Sequence, residues 1–471
     1  MQAMLDDLRV NARRTSFLLL GVLAILFVYI SYIQLVESEF LSTNALNRRS
    51  IEAAAQIKRG SIVDRNGKVL AFSERGQDDR YERRYPYGPI LANIIGYTDI
   101  KYGTTGIENS YNGELSGVIN PLHFFGPIAN LWTAKTGNNV IMTIDTNLEE
   151  VAYKALGNRR GAVVALDPKS GAVLAMVSKP GFDPKTLDRD WVTIATDKES
   201  RLMNRAVQGL YPPGSTLKVM IAEAALAEKI TDTKKTFVCE GSLKIGSDYE
   251  LTEAHHHAHG KVDLKEALAV SCNITFGTLA LELGRDRMAE TFTRYGFDRL
   301  SGVDLVEMPS RLPDFGHLGD GDLAQTGIGQ GSLLVTPLKM AMLAAVFANK
   351  GVMMTPYLVG KITDTDGAII QEVSSKEFLK PTSQELAQTV GKMMVAVVND
   401  GTGSAAGLKG IQVAGKTGTA ENPHGASHAW FIGFAPANDP KIAVAVIIEN
   451  AGAGGEEAAP VAREIFARAL R

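Results

Sequence analysis

The sequence predicts an α+β domain built on a central antiparallel sheet flanked by helices, preceded by a β-rich module and one transmembrane helix. Three observations carry this reading. Strand-like runs stand at both ends of residues 143–471 with a long, mainly helical stretch between them, the pattern of a sheet that joins both termini. Residues 37–142 are instead rich in Gly, Tyr and Arg, with only short strand-like runs. Phe17 to about Leu35 is nearly uncharged, and a run of about twenty such residues spans a bilayer as a helix.

The apolar run comes first. No small-x-small cleavage site follows it, so it reads as an uncleaved anchor at residues 16–36. Gly21, Leu23, Ile25, Phe27 and Tyr29 leave no polar face, which argues against a buried core helix. Arg9, Arg13 and Arg14 precede the run while Glu37 and Glu39 follow it. The positive-inside rule then puts residues 1–15 in the cytoplasm and everything after about residue 37 outside.

In residues 37–142, Ser61-Ile62-Val63 and Lys68-Val69-Leu70 flank Asp64-Arg65-Asn66-Gly67, a tight hairpin turn in which Asn-Gly supplies positive φ angles. From residue 143, Asn147 to Leu156 reads as a helix. Gly161–Leu166, a turn at Asp167–Gly171, and Ala172–Val177 form a β-hairpin. Near the far end come a strand carrying Lys416, a second at His428–Ala435, a third at Lys441–Glu449, and a closing helix at Val461–Leu470.

The chain has 471 residues, 45% apolar and 21% charged, with a net charge of −3. That balance gives no reason to expect nucleic acid as a partner. Cys239 and Cys272 fall in the extracytoplasmic part, where a disulfide is permitted; two packed free thiols are the expectation, with Cys272 pointing away from its neighbours Ser271 and Asn273.

Three short motifs carry chemistry. In Tyr211-Pro212-Pro213-Gly214-Ser215-Thr216-Leu217-Lys218, a serine and a lysine three apart share a helix face. A neutral, buried lysine can take the serine's proton and make it a nucleophile. Ser271-Cys272-Asn273 follows a helical pattern, where Ser and Asn would otherwise read as caps. Lys416-Thr417-Gly418-Thr419 continues a strand.

Ser-x-x-Lys, Ser-x-Asn and Lys-Thr-Gly in this order resemble the penicillin-binding proteins and serine β-lactamases. Arg59–Gly67, Arg83-Arg84-Tyr85-Pro86 and Gly103-Thr104-Thr105-Gly106-Ile107-Glu108 are similar to the N-terminal motifs of class B penicillin-binding proteins. So are Asn204-Arg205-Ala206, Gly329-Gln330-Gly331, Gly401-Thr402-Gly403 and Ala429–Pro436, so the resemblance covers nearly the whole chain.

The resemblance implies a membrane-anchored D,D-transpeptidase that cross-links peptidoglycan through an acyl-enzyme, with residues 37–142 as a pedestal and 143–471 as the transpeptidase domain. Ser215 would be the nucleophile and Lys218 its base, neutral because of burial and the nearby cation of Lys416. Ser271 would relay a proton to the leaving amine, and Asn273 would bond Lys218 and the substrate amide. Lys416, with the hydroxyls of Thr417 and Thr419, would hold a substrate carboxylate, and Gly418 would let the substrate backbone approach. The N–H groups of Ser215 and Thr419 would form the oxyanion hole.

The implied substrate is a stem peptide ending in D-Ala-D-Ala, mimicked by β-lactams, and the implied partner is a SEDS-type membrane glycosyltransferase. Arg59 and Glu108 are expected to serve a docking surface for it, the rival reading being internal salt bridges or turn contacts that hold the pedestal together. No cofactor or metal is expected. His255-His256-His257-Ala258-His259 reads as a solvated loop, with no acidic or cysteine set at metal spacing beside it. A membrane-anchored β-lactam sensor and a β-lactamase-like hydrolase are the alternative readings.

Overall fold

The computed structural model describes residues 2–34, 57–76, 80–117, 136–247, 249–423 and 425–471. The boundary expected at residues 36 and 37 lies outside them. Gln2–Tyr32 is one helix, and within Arg9–Tyr32 an 18-residue window has a mean hydropathy of 2.1 with none of it buried. That is long and apolar enough for a single-pass anchor.

The larger unit is organised around a five-stranded antiparallel sheet in the order Ala414–Ala420, His428–Ala435, Ile442–Ile448, Gly161–Leu166, Val173–Lys179. Both ends of the expected domain supply strands, as the sequence implies. Both faces are covered. Ala162, Val164, Ala443, Ala445 and Ile447 pack with the wholly buried helix Pro337–Ala348. Val163, Ala165, Val444 and Val446 pack with Leu148, Ala152, Ile465 and Phe466 of the two helices on the other face. Two-sided burial explains why these strands read as continuous apolar runs rather than alternating ones. Ala414–Ala420 is the edge strand.

A second sheet contains, in order, Ile369–Glu372, Val359–Thr363, Asn139–Met142, Ile62–Val63 and Val69–Arg75. Two of its strands therefore come from the catalytic stretch of the chain. The hairpin at Asp64–Gly67 forms, but only Gly67 has positive φ (86°). The turn is held instead by Asp64, wholly buried, whose Oδ1 accepts from the N–H groups of Asn66 and Lys68 at 2.8 Å while Oδ2 accepts from Thr146 Oγ1 at 2.7 Å.

Arg59 and Glu108 do not form a surface. The Glu108 carboxylate is fully buried and binds Arg59 at 2.8 Å and Arg83 at 2.6 Å, these side chains being 13% and 5% exposed. Tyr85 OH adds a contact at 3.4 Å. A buried carboxylate between two guanidinium groups holds this module together, and the docking role expected of these two residues is withdrawn.

Candidate functional site

Ser215 lies in the 3₁₀ turn Gly214–Leu217, which runs directly into the helix Lys218–Ala227. Its neighbours in the motif are buried and Ser215 alone is partly open. The turn is fixed from several sides. Pro213 O accepts from Thr216 Oγ1 at 2.6 Å and Pro212 O from the Trp430 indole at 3.0 Å. Gly214 N–H donates to Gly329 O at 2.8 Å, and a Cβ on Gly329 would meet Gly214 O at 2.1 Å. That close approach accounts for glycine in Gly329-Gln330-Gly331. Upstream, the buried Arg205 and Tyr211 OH both bind Glu449 Oε1 at 2.8 Å, tying the entry to this turn to the end of a central strand.

The three motifs converge on Ser271. Lys218 Nζ donates to Ser271 O at 2.7 Å, Asn273 Oδ1 at 2.7 Å and Ser271 Oγ at 3.4 Å. Lys416 Nζ donates to Ser271 Oγ and Thr417 O, both at 2.9 Å. One hydroxyl thus stands between two lysines that are wholly buried. Asn273 opens the helix Asn273–Arg294, with its Nδ2 donating to Thr252 O at 3.0 Å. Ser271 has φ of 62°, an unfavourable region for a residue with a Cβ, and such strain is held only where surroundings over-determine it.

Burial pushes Lys218 down to about 8, with the charge of Glu253 opposing the shift. Lys416 is driven well below the usual lysine range by burial and then by the charge of Lys218. Only at Lys218 does an anion, Glu253, oppose the shift, which favours a cation there.

Two other expectations change. Thr417 is buried and its Oγ1 pairs with Thr402 Oγ1 at 2.6 Å, so of the two threonine hydroxyls only that of Thr419 lies on an exposed residue. Gly418 has no free space at its Cβ position, which lies 3.0 Å from Thr216 Cγ2 and 3.1 Å from Pro213 O. Its lack of a side chain lets the edge strand reach the Ser215 turn rather than clearing a path for a ligand.

The histidine stretch is also not uniformly solvated. His256 and His257 are exposed, but His259 turns inward, its Nδ1 3.5 Å from Cys239 Sγ and 3.8 Å from Glu253 Oε1. Cys272 joins them from beneath the Ser271 turn. Both cysteines are free and buried. The cysteine and acidic set judged missing from the sequence is therefore present in space. Phe276, whose ring lies 5.6 Å from Lys218 Nζ, lies outside every motif, while Thr402 belongs to the Gly401-Thr402-Gly403 motif and takes its role only from the contact with Thr417.

Residues 161–467 match the penicillin binding protein transpeptidase domain, and residues 59–140 the penicillin binding protein A dimerisation domain. The chain is 32% identical to the peptidoglycan D,D-transpeptidase PbpA of Mycolicibacterium smegmatis, covering 98% of this chain and 99% of that protein. It is 30% identical to the peptidoglycan D,D-transpeptidase MrdA of Acinetobacter baumannii over 82% of this chain and 65% of the relative. Penicillin-binding protein A from M. tuberculosis, solved as a ceftriaxone acyl-enzyme complex, superposes with a TM-score of 0.83 at 31% identity over 89% of this chain and the whole of that one. With one domain model spanning most of the chain and the PbpA relative aligned end to end, this protein belongs to the class B penicillin-binding proteins.

Proposed function

We propose that this chain is a serine D,D-transpeptidase that cross-links peptidoglycan stem peptides and is acylated by β-lactams. The observation that carries the proposal is the single hydroxyl of Ser271 bridging Lys218 and Lys416 beside the Ser215 turn. The PbpA relatives' names give the same activity, and the β-lactam acyl-enzyme structures give the same mode of inhibition.

The proposed sequence begins with the substrate's terminal D-Ala carboxylate settling near Lys416 and Thr419. A carboxylate there favours the cation of Lys416. Ser271 passes its hydroxyl proton to Lys416 while taking one from Lys218, which leaves Lys218 neutral. Ser215 Oγ then attacks the penultimate D-Ala carbonyl and Lys218 receives its proton. The N–H groups of Ser215 and Thr419 hold the oxyanion, a donor of this kind being worth about 2.7–4 kcal/mol. Collapse breaks the peptide bond, and the leaving amine takes its proton through Ser271. An amine of a neighbouring stem attacks the ester and regenerates Ser215.

The proposal extends to place and partner. The arginines before the anchor put residues 1–15 in the cytoplasm and the catalytic domain outside. A SEDS-type glycosyltransferase would supply the strands, and anchoring would keep both enzymes at the same membrane surface. Covalent labelling by a fluorescent penicillin tests the core of the reading. Ser215→Ala should abolish labelling and the adduct in the intact mass, and undiminished labelling would overturn the assignment of the nucleophile.

A further inference from the structure

We propose that a pocket between the helix Gly88–Ile95 and the Asn204–Gln208 turn binds an acetamido sugar of a glycan strand, a second grip on the polymer that carries the stems. The cavity has a volume of about 270 Å³, near the lower end of the roughly 300–1,000 Å³ of ligand sites. That is room for one sugar ring and its acetamido arm, with the rest of a strand left outside. Asn93 and Asn109 come to it from the N-terminal module, and Phe182, Asn204, Gln208 and Leu305 from the catalytic one, all within the larger unit.

Amide side chains build the wall. Asn93 Nδ2 donates to Arg201 O at 2.9 Å and Met203 O at 3.3 Å, and Asn204 Nδ2 to Asn93 O at 2.9 Å, stitching helix to turn. Asn204 Oδ1 caps the short helix Arg205–Gln208 by accepting from Ala206 N–H, and Asn204 N–H donates to Gln208 Oε1 at 3.0 Å. These bonds fix which end of each amide is spare. Asn93 is left with a buried Oδ1 that has no partner, and Gln208 with an Nε2 that has no acceptor among the described residues. One spare acceptor and one spare donor thus border the same cavity. A buried polar group left so calls for an explanation, and a ligand supplies one.

The lining selects the class of ligand. Among the described residues no charged side chain borders the cavity; its polar groups are amides and hydroxyls, and Phe182, Val207 and Leu305 supply apolar wall. A carboxylate or phosphate would lose its water there without a counter-charge, and an acyl chain would leave the amides unpaired. An acetamido group meets all three features. Its N–H donates to Asn93 Oδ1 after a small outward shift of that side chain, its carbonyl accepts from Gln208 Nε2, and its methyl lies against Phe182 and Val207. Ring hydroxyls then face Thr105 and Asn109, which are exposed at the mouth. Thr105 Oγ1 already accepts from Tyr97 N–H at 3.3 Å, so its hydroxyl proton remains for a sugar oxygen.

The sugar is assigned to a glycan strand on the reading that this chain acts on peptidoglycan, whose stems hang from acetamido sugars. A grip on the strand keeps the other stems of that strand near the enzyme, which raises their effective concentration.

The test uses full-length protein in detergent and saturation-transfer NMR with chitotriose, a neutral trimer of acetamido sugars. Transfer should be strongest at the acetyl methyl protons. Cellotriose, with hydroxyls in place of the acetamido groups, should bind at least about tenfold more weakly, having lost a paired amide and a buried methyl. Gln208→Glu keeps the acceptor for Asn204 N–H and removes the donor, while Ser110→Trp fills the mouth from an exposed position. Each should weaken chitotriose roughly tenfold with an unchanged melting temperature; if Gln208→Glu melts lower, Ser110→Trp decides alone. No transfer from chitotriose, equal binding of cellotriose or of a neutral blocked dipeptide, or full binding by Ser110→Trp would overturn the site. Chitotriose should also raise the apparent KM for stems carried on glycan and not that for a free stem peptide; an equal effect on both, or none on either, would overturn the grip. Sugar binding by protein that penicillin never labels would overturn acyl transfer and leave the site standing.

Discussion

If the substrate's carboxylate moves the proton from Lys218 to Lys416, the pH dependence of acylation must differ between ligands with and without that carboxylate. Both ammonium nitrogens lie within 3.4 Å of Ser271 Oγ, so they are no more than about 6 Å apart. At an effective dielectric of about 20, a charge on one costs the other about 3 kcal/mol, which is about two pH units of titration. In the free protein Lys218 titrates at about 8. A neutral penicillin ester leaves that value in place, so its acylation rate should climb roughly 50-fold between about pH 6 and 8 as the base loses its proton. Penicillin itself, by charging Lys416, should bring Lys218 down to about 6 and show only a roughly twofold rise over the same interval. First-order acylation constants at saturating ligand and fixed ionic strength, each normalised to its own value at high pH, give the comparison, because these report titration in the ligand complex. Parallel profiles would refute the proton shift, and a flat profile for the ester would refute Lys218 as the base.

Lys218→Arg should nearly abolish acylation, because arginine cannot give up its proton, whereas Lys416→Arg keeps the charge a carboxylate needs and should be milder; equal losses of acylation rate would contradict this division. Glu108→Ala leaves Arg59 and Arg83 without their buried partner, and the cost of about 3–5 kcal/mol should lower the melting temperature by roughly 6–20 °C; an unchanged melting temperature would return these residues to a docking role. Burial raises Glu149 to about 8, with Met176 N–H at 2.7 Å on its Oε2. Because its folded value lies above its ordinary one, its contribution is complete below about pH 4.5 and is lost as pH rises through about 8, at up to about 1.4 kcal/mol per pH unit. Glu149→Gln should therefore melt higher than wild type at about pH 8 and show a weaker decline from about pH 5; superimposable melting curves at both values would exclude this.

The central sheet was legible because two-sided burial makes Ala162–Val164 and Ala443–Ile448 continuous apolar strands that no surface segment would show. The lysines and serine of the motifs were legible because their spacing on a helix or strand is local. Side-chain destination was not. Thr417 and Thr419 look alike in sequence, yet Thr417 is taken up by Thr402 and Thr419 is left exposed, a difference set by strands and loops far away in the chain. The Cys239, Glu253, His259 and Cys272 set was missed for the same reason. Cysteines and histidines were read as separate runs, and nothing local says that only His259 of its stretch turns inward. Arg59 and Glu108 show the converse, since charge in a motif suits an exposed docking surface or an internal pair equally well, and the fold makes the internal pair.

The Val359–Thr363 strand makes the two modules inseparable in time and in heredity. Asn139 pairs with Thr363, and its side chain reaches Asp364 O across 225 positions of chain. During synthesis the early residues cannot complete their sheet until that distant strand has emerged, so the N-terminal module waits, partly open, for most of the protein to be made. Grafting residues 59–140 alone between relatives would leave Asn139–Met142 with an alien neighbour along one edge. A recombination that carries residues 359–372 with them moves the matched pair, and natural or designed hybrids should respect that discontinuous unit.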